Sequence, residues 1–200
     1  MKKILVSAAV VVASLVLSGC ASDLMRAAST QQISPPGEGR VKIVFMRSSI
    51  VAGAIGVEIF EVVNGDLRFI GQLPSGNKII YETTPGEKVF MAYGTAADFM
   101  LAKLDRGKTY YSIVRPNWGT GGFAPTPIRA DSPTEPNVKS KEFQKWVSDT
   151  KVIEPNENAK AWFSGNKARY QEIYIDYWNR FVRKSNQEKA QRTLMPQDGV

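Results

Sequence analysis

The sequence of 200 residues contains no histidine and only one cysteine. Without histidine the chain lacks the commonest general base and the commonest metal ligand. A single cysteine can form neither an internal disulfide nor a cysteine-rich zinc site. Metalloenzyme mechanisms and most hydrolase mechanisms are therefore disfavoured, and the sequence predicts a protein that is not an enzyme and holds no cofactor or metal.

Long apolar runs are also lacking, except at the start of the chain. Lys2 and Lys3 precede an uncharged stretch from Ile4 to Leu17, which is short for a membrane span of about 20 residues. A positive start, an apolar stretch of this length and small residues at its end are typical of a secretory signal peptide. Residues 1–19 are therefore predicted to be a removed signal peptide, with a plain transmembrane anchor as the alternative.

The only cysteine follows directly, in the tetrapeptide Leu17-Ser18-Gly19-Cys20. This tetrapeptide resembles the lipobox of bacterial lipoproteins. The resemblance implies cleavage before Cys20, a diacylglycerol on its sulfur and an N-acyl chain such as palmitate on the new amine. Because two or three acyl chains give stable anchoring, we expect the membrane as a partner through this lipid. A buried structural cysteine is the alternative.

The residues after Cys20 bear on localisation. In the enteric-type sorting pattern, an Asp directly after the lipidated cysteine implies retention in the inner membrane, whereas this chain has Ala21 and Ser22. The resemblance therefore implies a lipid-anchored protein of the outer membrane that faces the periplasm. Since the chain leaves the cytoplasm, nucleic acid is not an expected partner despite the net charge of +7.

Composition divides the rest of the chain into three parts. Residues 20–39 carry the lipidated cysteine and Ser, Thr, Gln, Pro and Gly, which predicts a flexible tether. In residues 40–130 short apolar runs are separated by turn residues, which is typical of a β domain. Residues 131–200 are predicted to be a linker and amphipathic, aromatic-rich helices packed on or beside that domain.

Short apolar runs alternate with turn signals in the β domain. Asn64-Gly65 between two such runs predicts a hairpin, because both turn positions need φ > 0. Pro125 and Pro127 restrict the last strand to a sheet edge. Seven or eight short strands without a helix between them predict a sandwich or a barrel, and of these we expect an antiparallel β-sandwich. The predicted strands are Val41–Met46, Val57–Val63, Leu67–Leu73, Lys78–Thr83, Lys88–Tyr93, Phe99–Leu104, Thr109–Val114 and Phe123–Ile128.

One short and one long helix are predicted after the β domain. Ser140 would cap the short helix, and Asn156 the long one, which extends to about residue 192 with Gly165 as a break or kink. The residues from Met195 to Val200 should fray. The predicted fold class is therefore mainly β with C-terminal helices.

Four motifs in the β segment carry a family resemblance: Ile43–Arg47, Gly71–Leu73, Tyr81–Gly86 and Gly107–Tyr111. With them, residues 40–130 resemble a family of bacterial lipoproteins that have an uncharacterised domain related to the PEGA-type β-sandwich. The resemblance covers about half of the chain. It implies a periplasmic or surface-displayed, non-catalytic module and supplies no catalytic residues.

Aromatic residues recur at helical spacing on the long predicted helix. Those with a candidate role are Tyr170, Tyr174, Tyr177, Trp178 and Phe181. Packing against the sandwich and an interface with another envelope protein both fit this pattern, and interfaces are enriched in Tyr and Trp.

Trp118 is followed by a Gly-rich segment, Gly119–Gly122, which lacks the Lys and Ser/Thr of a phosphate-binding P-loop. On a loop, Trp118 would be a platform on which the sugars of a glycan or of peptidoglycan stack. A half-buried core tryptophan is the alternative.

Four acidic residues, Glu58, Glu61, Glu82 and Asp98, are candidates for glycoside cleavage. That chemistry needs two carboxylates about 5 to 9.5 Å apart in a cleft, which their spacing does not demand. The sequence thus favours a non-catalytic binding or structural subunit of an envelope assembly. A glycan- or peptidoglycan-binding module is the second hypothesis, and a cell-wall hydrolase the third.

Overall fold

The computed structural model describes residues 23–49, 55–119, 121–132 and 137–200. In it the chain folds into two mixed β-sheets with helices on their outer faces. The strands are β1 (Met25–Ala27), β2 (Val41–Arg47), β3 (Val57–Val63), β4 (Asp66–Leu73), β5 (Asn77–Thr83), β6 (Gly86–Tyr93), β7 (Ala97–Leu104), β8 (Thr109–Asn117), β9 (Gly122–Pro127), β10 (Lys151–Pro155) and β11 (Thr193–Leu194). The α-helices are α1 (Lys141–Asp149), α2 (Glu157–Phe181) and α3 (Asn186–Gln191).

The first sheet has the strand order β1-β10-β5-β2-β8-β9, and the second sheet has the order β11-β7-β6-β3-β4. Most neighbours are antiparallel, but β2 with β8, β10 with β5, and β11 with β7 are parallel. The predicted class, mainly β with C-terminal helices, is confirmed. The three parallel pairs correct the finer expectation of purely antiparallel sheets.

All eight strands predicted between residues 40 and 130 are present. The β3–β4 turn has the expected positive φ angles, 53° at Asn64 and 83° at Gly65. Strand β9, which contains Pro125 and Pro127, lies at a sheet edge as predicted. The three strands that were not predicted have 3, 5 and 2 residues, too few to produce a recognisable apolar pattern.

The main core lies between the two sheets. Phe45 and Tyr110 of the first sheet meet Ile59, Phe90 and Met100 of the second, and all five side chains are fully buried. The rings of Phe45 and Phe90 pack edge to face, with centroids 5.4 Å apart. Because each such side chain stabilises the fold by about 1.5–3 kcal/mol, this layer holds the two sheets together.

Helices cover the outer faces of both sheets. Phe143 of α1 packs on the first sheet, and Tyr170 and Tyr174 of α2 pack on the second. The predicted caps are confirmed: the side chains of Ser140 and Asn156 accept backbone N–H groups at the starts of α1 and α2. Because the helices and the opposite sheet cover both faces of these strands, several strands are apolar at consecutive positions.

The long helix is shorter than predicted. It ends at Phe181 rather than near residue 192, and Gly165 lies within it without breaking it. Ser185 starts α3 with a capping box, in which its Oγ accepts the Glu188 N–H at 3.2 Å and Glu188 Oε2 accepts the Ser185 N–H at 2.9 Å. This second cap separates two helices that helical spacing alone had joined.

The flexible tether predicted for residues 20–39 is wrong for residues 23–27, whereas residues 28–39 form no helix or strand and none of them is buried. Leu24 and Met25 are buried, and β1 extends the first sheet beside β10. The Asn156 side chain donates a hydrogen bond to the Asp23 carbonyl at 2.9 Å. Residues 23–27 are therefore part of the fold.

The C-terminal residues, predicted to fray from Met195, are also fixed. Leu194 is fully buried in β11. Val200 and Thr109 exchange two backbone hydrogen bonds, at 2.7 and 3.0 Å. The Asp198 carboxylate accepts the backbone N–H of Met195 at 2.8 Å. The segment after α3 is thus part of the fold.

Candidate functional site

Trp118 lies on the loop between β8 and β9 and is the most exposed large apolar side chain of the described residues, at 81%. By contrast, Trp162 and Trp178 pack against core clusters. The alternative of a half-buried core tryptophan is therefore wrong at position 118. An exposed indole offers a flat apolar face together with an N–H donor, which suits stacking against a sugar ring.

Hydrogen bonds hold the loop that carries Trp118. The Asn117 side-chain oxygen accepts the Gly119 N–H at 3.1 Å, and the Asn117 carbonyl accepts the Gly121 N–H at 2.9 Å. Asn117 Nδ2 also donates to Asp98 Oδ2 at 2.7 Å. Asp98 belongs to the second sheet and is buried, so this charge-assisted bond fixes the loop base to both sheets. A loop fixed in this way loses little entropy when it binds a ligand.

A cleft of about 360 Å³ borders Trp118, and Arg115 and Arg192 are among the residues that line it. We call it the arginine cleft. Arg192 directly follows α3, and one of its terminal nitrogens lies 3.1 Å from Asp98 Oδ2. None of the described residues that line this cleft carries a carboxylate. The lining of the arginine cleft therefore carries two cationic side chains and no carboxylate of its own.

A second cleft, of about 300 Å³, reaches the same loop at Gly119 and is lined by Arg180 and Lys184. The charges of these two residues are already paired. Arg180 contacts both oxygens of Asp176, at 2.7 and 3.0 Å, and Lys184 lies 3.6 Å from Glu188. Both cations of this second cleft therefore have a carboxylate partner.

The five aromatic residues considered as a partner interface pack on the second sheet. Tyr170, Tyr174 and Phe181 are buried, and Tyr177 and Trp178 are partly buried in the same cluster. Phe99 of the second sheet contacts the rings of Tyr174, Trp178 and Phe181, with centroids 6.1, 5.1 and 5.3 Å away. The structure shows packing for the three buried residues, which corrects the interface prediction for them. Tyr177 and Trp178 are only partly buried, so for these two the interface stays a prediction.

The four candidate acids for hydrolysis have separate surroundings. Glu58 faces α2, whereas Glu61 on the same strand points between the sheets and accepts a hydrogen bond from Tyr81 at 2.6 Å. Glu82 is exposed on β5, and Asp98 holds the Trp118 loop. Glu58 and Glu61 thus point to opposite faces of the second sheet, and each of the four acids has its own structural partners.

Two buried cations were missed by sequence reasoning. Arg47 is fully buried at the end of β2, with its guanidinium carbon 4.4 Å from the centre of the Phe123 ring. Lys78 donates to the carbonyls of Val147 and Thr150, at 2.7 and 2.6 Å, at the C-terminal end of α1. Burial lowers the pKa of both Arg47 and Lys78. Each of the two residues lies at or next to the end of a strand, where a charged residue is usually exposed, so the sequence does not reveal that they are buried.

The predicted lipidation site, Cys20, and the lipobox residues Leu17, Ser18 and Gly19 lie outside the described residues. Within the described part of the chain, no group of three or more Cys, Asp or Glu side chains could hold a metal ion. No helix in that part is long and apolar enough to span a membrane.

No protein-family model and no curated protein matches the chain. The resemblance to the PEGA-type lipoprotein family therefore stays a prediction, and the site has to be interpreted from its geometry. That geometry places an exposed indole, a hydrogen-bonded loop and a cationic cleft side by side, where stacking and charge-assisted hydrogen bonds can act on one ligand.

Proposed function

We propose that this protein is a lipid-anchored, non-catalytic binding protein of the bacterial envelope, facing the periplasm from the outer membrane, with the Trp118 loop as its ligand contact. The observation that carries the proposal is that Trp118 is 81% exposed on a loop fixed to the buried Asp98. Leaving a large apolar ring in water is unfavourable, and its rigid presentation is a feature of binding sites.

The anchor is supported by the sequence Leu17-Ser18-Gly19-Cys20 after an apolar stretch. Its test is the variant Cys20→Ser in cells fed labelled palmitate. We expect the variant to incorporate no label, because the acylated thiol is lost. For the same reason it should move from the detergent phase to the aqueous phase when the two phases of a detergent extract are separated. Ser22→Ala, which keeps the thiol, is the matched control. Label on Cys20→Ser would contradict the proposed anchor.

A glycan is the ligand that Trp118 favours, because the apolar face of a sugar ring stacks on an indole. Peptidoglycan is the glycan closest to a protein with this localisation. A protein partner in an envelope assembly is the second candidate, since Trp and Arg are enriched at the energetic centres of interfaces and Trp118 borders Arg115.

Two assays of the full chain in mild detergent distinguish these candidates: co-sedimentation with purified sacculi, and affinity purification from envelope extract. We expect Trp118→Ala to lose sacculus binding. Ile175→Ala, which truncates an exposed apolar side chain on α2, should bind as the parent does. If the parent does not bind sacculi but purifies with a stoichiometric protein partner that Trp118→Ala loses, the second candidate is favoured. If Trp118→Ala behaves as the parent in both assays, the Trp118 loop is not the ligand contact.

A further inference from the structure

We infer that a cleft beside the start of α2 contacts the membrane that holds the lipid anchor, with the phosphate of an anionic phospholipid such as phosphatidylglycerol next to Lys160. This inference rests on the proposed anchor at Cys20 and adds to it the face of the domain that meets the lipid headgroups.

The cleft lies between the β3–β4 turn and the first half of α2, has a volume of about 600 Å³, and includes Asn156 and Lys160 in its lining. We call it the anchor-end cleft. Asn156 donates a side-chain hydrogen bond to the Asp23 carbonyl at 2.9 Å, and Lys160 lies about one helical turn further along α2. Cys20 precedes Asp23 by three residues, which reach at most about 11 Å. A lipid on Cys20 therefore keeps this cleft at a high effective concentration near the bilayer surface, where a weak contact is sufficient.

The charges of the anchor-end cleft favour an anionic surface. Its lining has three cations, Arg68, Lys160 and Lys167, and one carboxylate, that of Asp66. Arg68 lies 3.3 Å from Glu61. Lys167 lies 3.8 Å from Asp66. Lys160 is exposed, and its ammonium forms no ion pair with a carboxylate of the described residues. Lys160 is therefore the cation that a lipid phosphate would pair with.

Apolar side chains in the same cleft favour a phospholipid over a free phosphate ion. The rings of Phe69 and Phe163 stack with their centroids 5.7 Å apart, and both residues are half-buried. Pro155, at the end of β10, adds an exposed apolar side chain to the lining. Binding at a membrane interface increases with the apolar area buried and with attraction to anionic lipids. An apolar surface next to an exposed cation therefore matches a phospholipid, whose glycerol and acyl groups adjoin its phosphate, whereas a free ion would use the cation alone.

The Trp118 loop is distant from this membrane contact. Gly119 shares a cleft with Phe181 at the end of α2, whereas the anchor-end cleft borders the start of α2. The 25 residues of α2 span about 37 Å at 1.5 Å per residue. Lipid headgroups at the anchor-end cleft would therefore leave the Trp118 loop accessible to a ligand away from the membrane.

The test measures the distance of two labelled positions from the headgroups, in the lipidated full chain reconstituted into vesicles. Because Cys20 is the only cysteine and its thiol would be acylated, an introduced cysteine is the only thiol that a fluorophore can modify. The label is attached in Ser164→Cys, one turn after Lys160, or in Val182→Cys, at the other end of α2; both positions are exposed. The vesicles contain phosphatidylcholine alone or with phosphatidylglycerol, and lipids with a nitroxide on the headgroup quench a fluorophore that lies near them.

We expect headgroup quenching of the label in Ser164→Cys and little quenching in Val182→Cys, because 18 residues of helix place the two positions about 27 Å apart. One cation beside an anionic surface changes the equilibrium between contact and no contact about fivefold. Lys160→Gln in the Ser164→Cys chain should therefore reduce quenching in vesicles with phosphatidylglycerol. Vesicles of phosphatidylcholine alone should reduce it in the same way, because this lipid has no net charge.

Lys103→Gln is the matched control, because Lys103 is an exposed cation of β7 that does not line the anchor-end cleft. It should leave the quenching of the Ser164→Cys label unchanged. Lys160→Arg keeps the charge and should keep the quenching. The thermal unfolding midpoint of each variant reports whether the fold is intact. Loss of quenching in Lys160→Arg as well as in Lys160→Gln would show that the charge is not responsible and would overturn the inference.

Co-sedimentation with the vesicles separates failure of this inference from failure of the proposed anchor. If the lipidated chain sediments with both kinds of vesicle but the two labels are quenched equally, or neither is quenched, the anchor stands and the membrane contact is overturned. Quenching of the Ser164→Cys label that is the same in Lys160→Gln and without phosphatidylglycerol would assign the cleft to another occupant and overturn the inference. A chain that sediments with neither kind of vesicle would overturn the proposed anchor as well.

Discussion

Asn117 and Asp98 join the two sheets at the base of the Trp118 loop, with Asn117 Nδ2 2.7 Å from Asp98 Oδ2. The same carboxylate oxygen lies 3.1 Å from an Arg192 nitrogen, and Asp98 Oδ1 accepts the backbone N–H of Phe99 at 2.8 Å. Because Asp98 is 3% exposed, water does not compete for these contacts. One buried carboxylate therefore positions both the loop with the exposed indole and one arginine of the adjacent cleft.

Replacing Asn117 by Ala should loosen the loop without removing Trp118. The lost hydrogen bond to a charged group should lower the free energy of unfolding by about 1.5–3 kcal/mol. We also expect weaker co-sedimentation with sacculi, because the indole is no longer held in place. Urea unfolding checks the first effect, and Asn179→Ala, at an exposed position of α2, is the control. Unchanged stability and binding in Asn117→Ala would show that the contact does not position Trp118.

Replacing Glu61 by Ala should destabilise the fold strongly. Glu61 is fully buried, and Tyr81 and Thr83 donate to its carboxylate at 2.6 and 3.0 Å. Its removal leaves two hydroxyl groups without their acceptor, so we expect a loss of about 2–4 kcal/mol in urea unfolding. Glu82→Ala, which removes an exposed acid next to Thr83 in β5, should change the free energy of unfolding by less than about 1 kcal/mol. Equal effects of the two substitutions would contradict the structural role of Glu61.

Replacing Tyr174 by Ala should test whether the aromatic stripe is packing. Tyr174 is buried against Phe99 and Trp178, so its truncation should lower the free energy of unfolding by about 3–5 kcal/mol. The neighbouring Ile175 is 52% exposed, so Ile175→Ala should change the free energy of unfolding by less than about 0.5 kcal/mol. Denaturant unfolding of the two variants side by side is the measurement. A stable Tyr174→Ala variant that loses a protein partner would restore the interface hypothesis.

Local sequence patterns predict the eight strands between residues 40 and 130, since each has its own apolar run and the turn residues are distinctive, as at Asn64-Gly65. They do not predict β1, β10 and β11, which form only because distant segments pair with them. Trp118 can be named from the sequence, but its exposure depends on Asn117 meeting Asp98, a contact across two sheets that no local spacing reveals. The aromatic stripe of α2 has the same spacing whether it packs on a sheet or on a partner, so only the position of the second sheet decides between the two.

The buried Glu58 should make stability depend on pH. Burial raises the pKa of this carboxyl, and the hydrogen bond from Gln72 and the charge of Arg169 oppose that rise only in part. Below the ordinary glutamate pKa of about 4.3, Glu58 is protonated in the folded and unfolded chain alike, and its burial as a neutral group costs nothing extra. As the pH rises through the higher pKa of the folded state, the unfolded chain ionises more readily, so stability is lost. The side chain of the Glu58→Gln variant stays neutral at every pH, and Gln72 can still contact it. The stability of this variant minus that of the parent should therefore increase between about pH 4 and about pH 7. Urea unfolding of both proteins across this range, with the exposed Glu172→Gln as control, measures the difference. A difference that is constant with pH, or one that decreases toward neutral pH, would show that Arg169 and Gln72 fully compensate the buried charge.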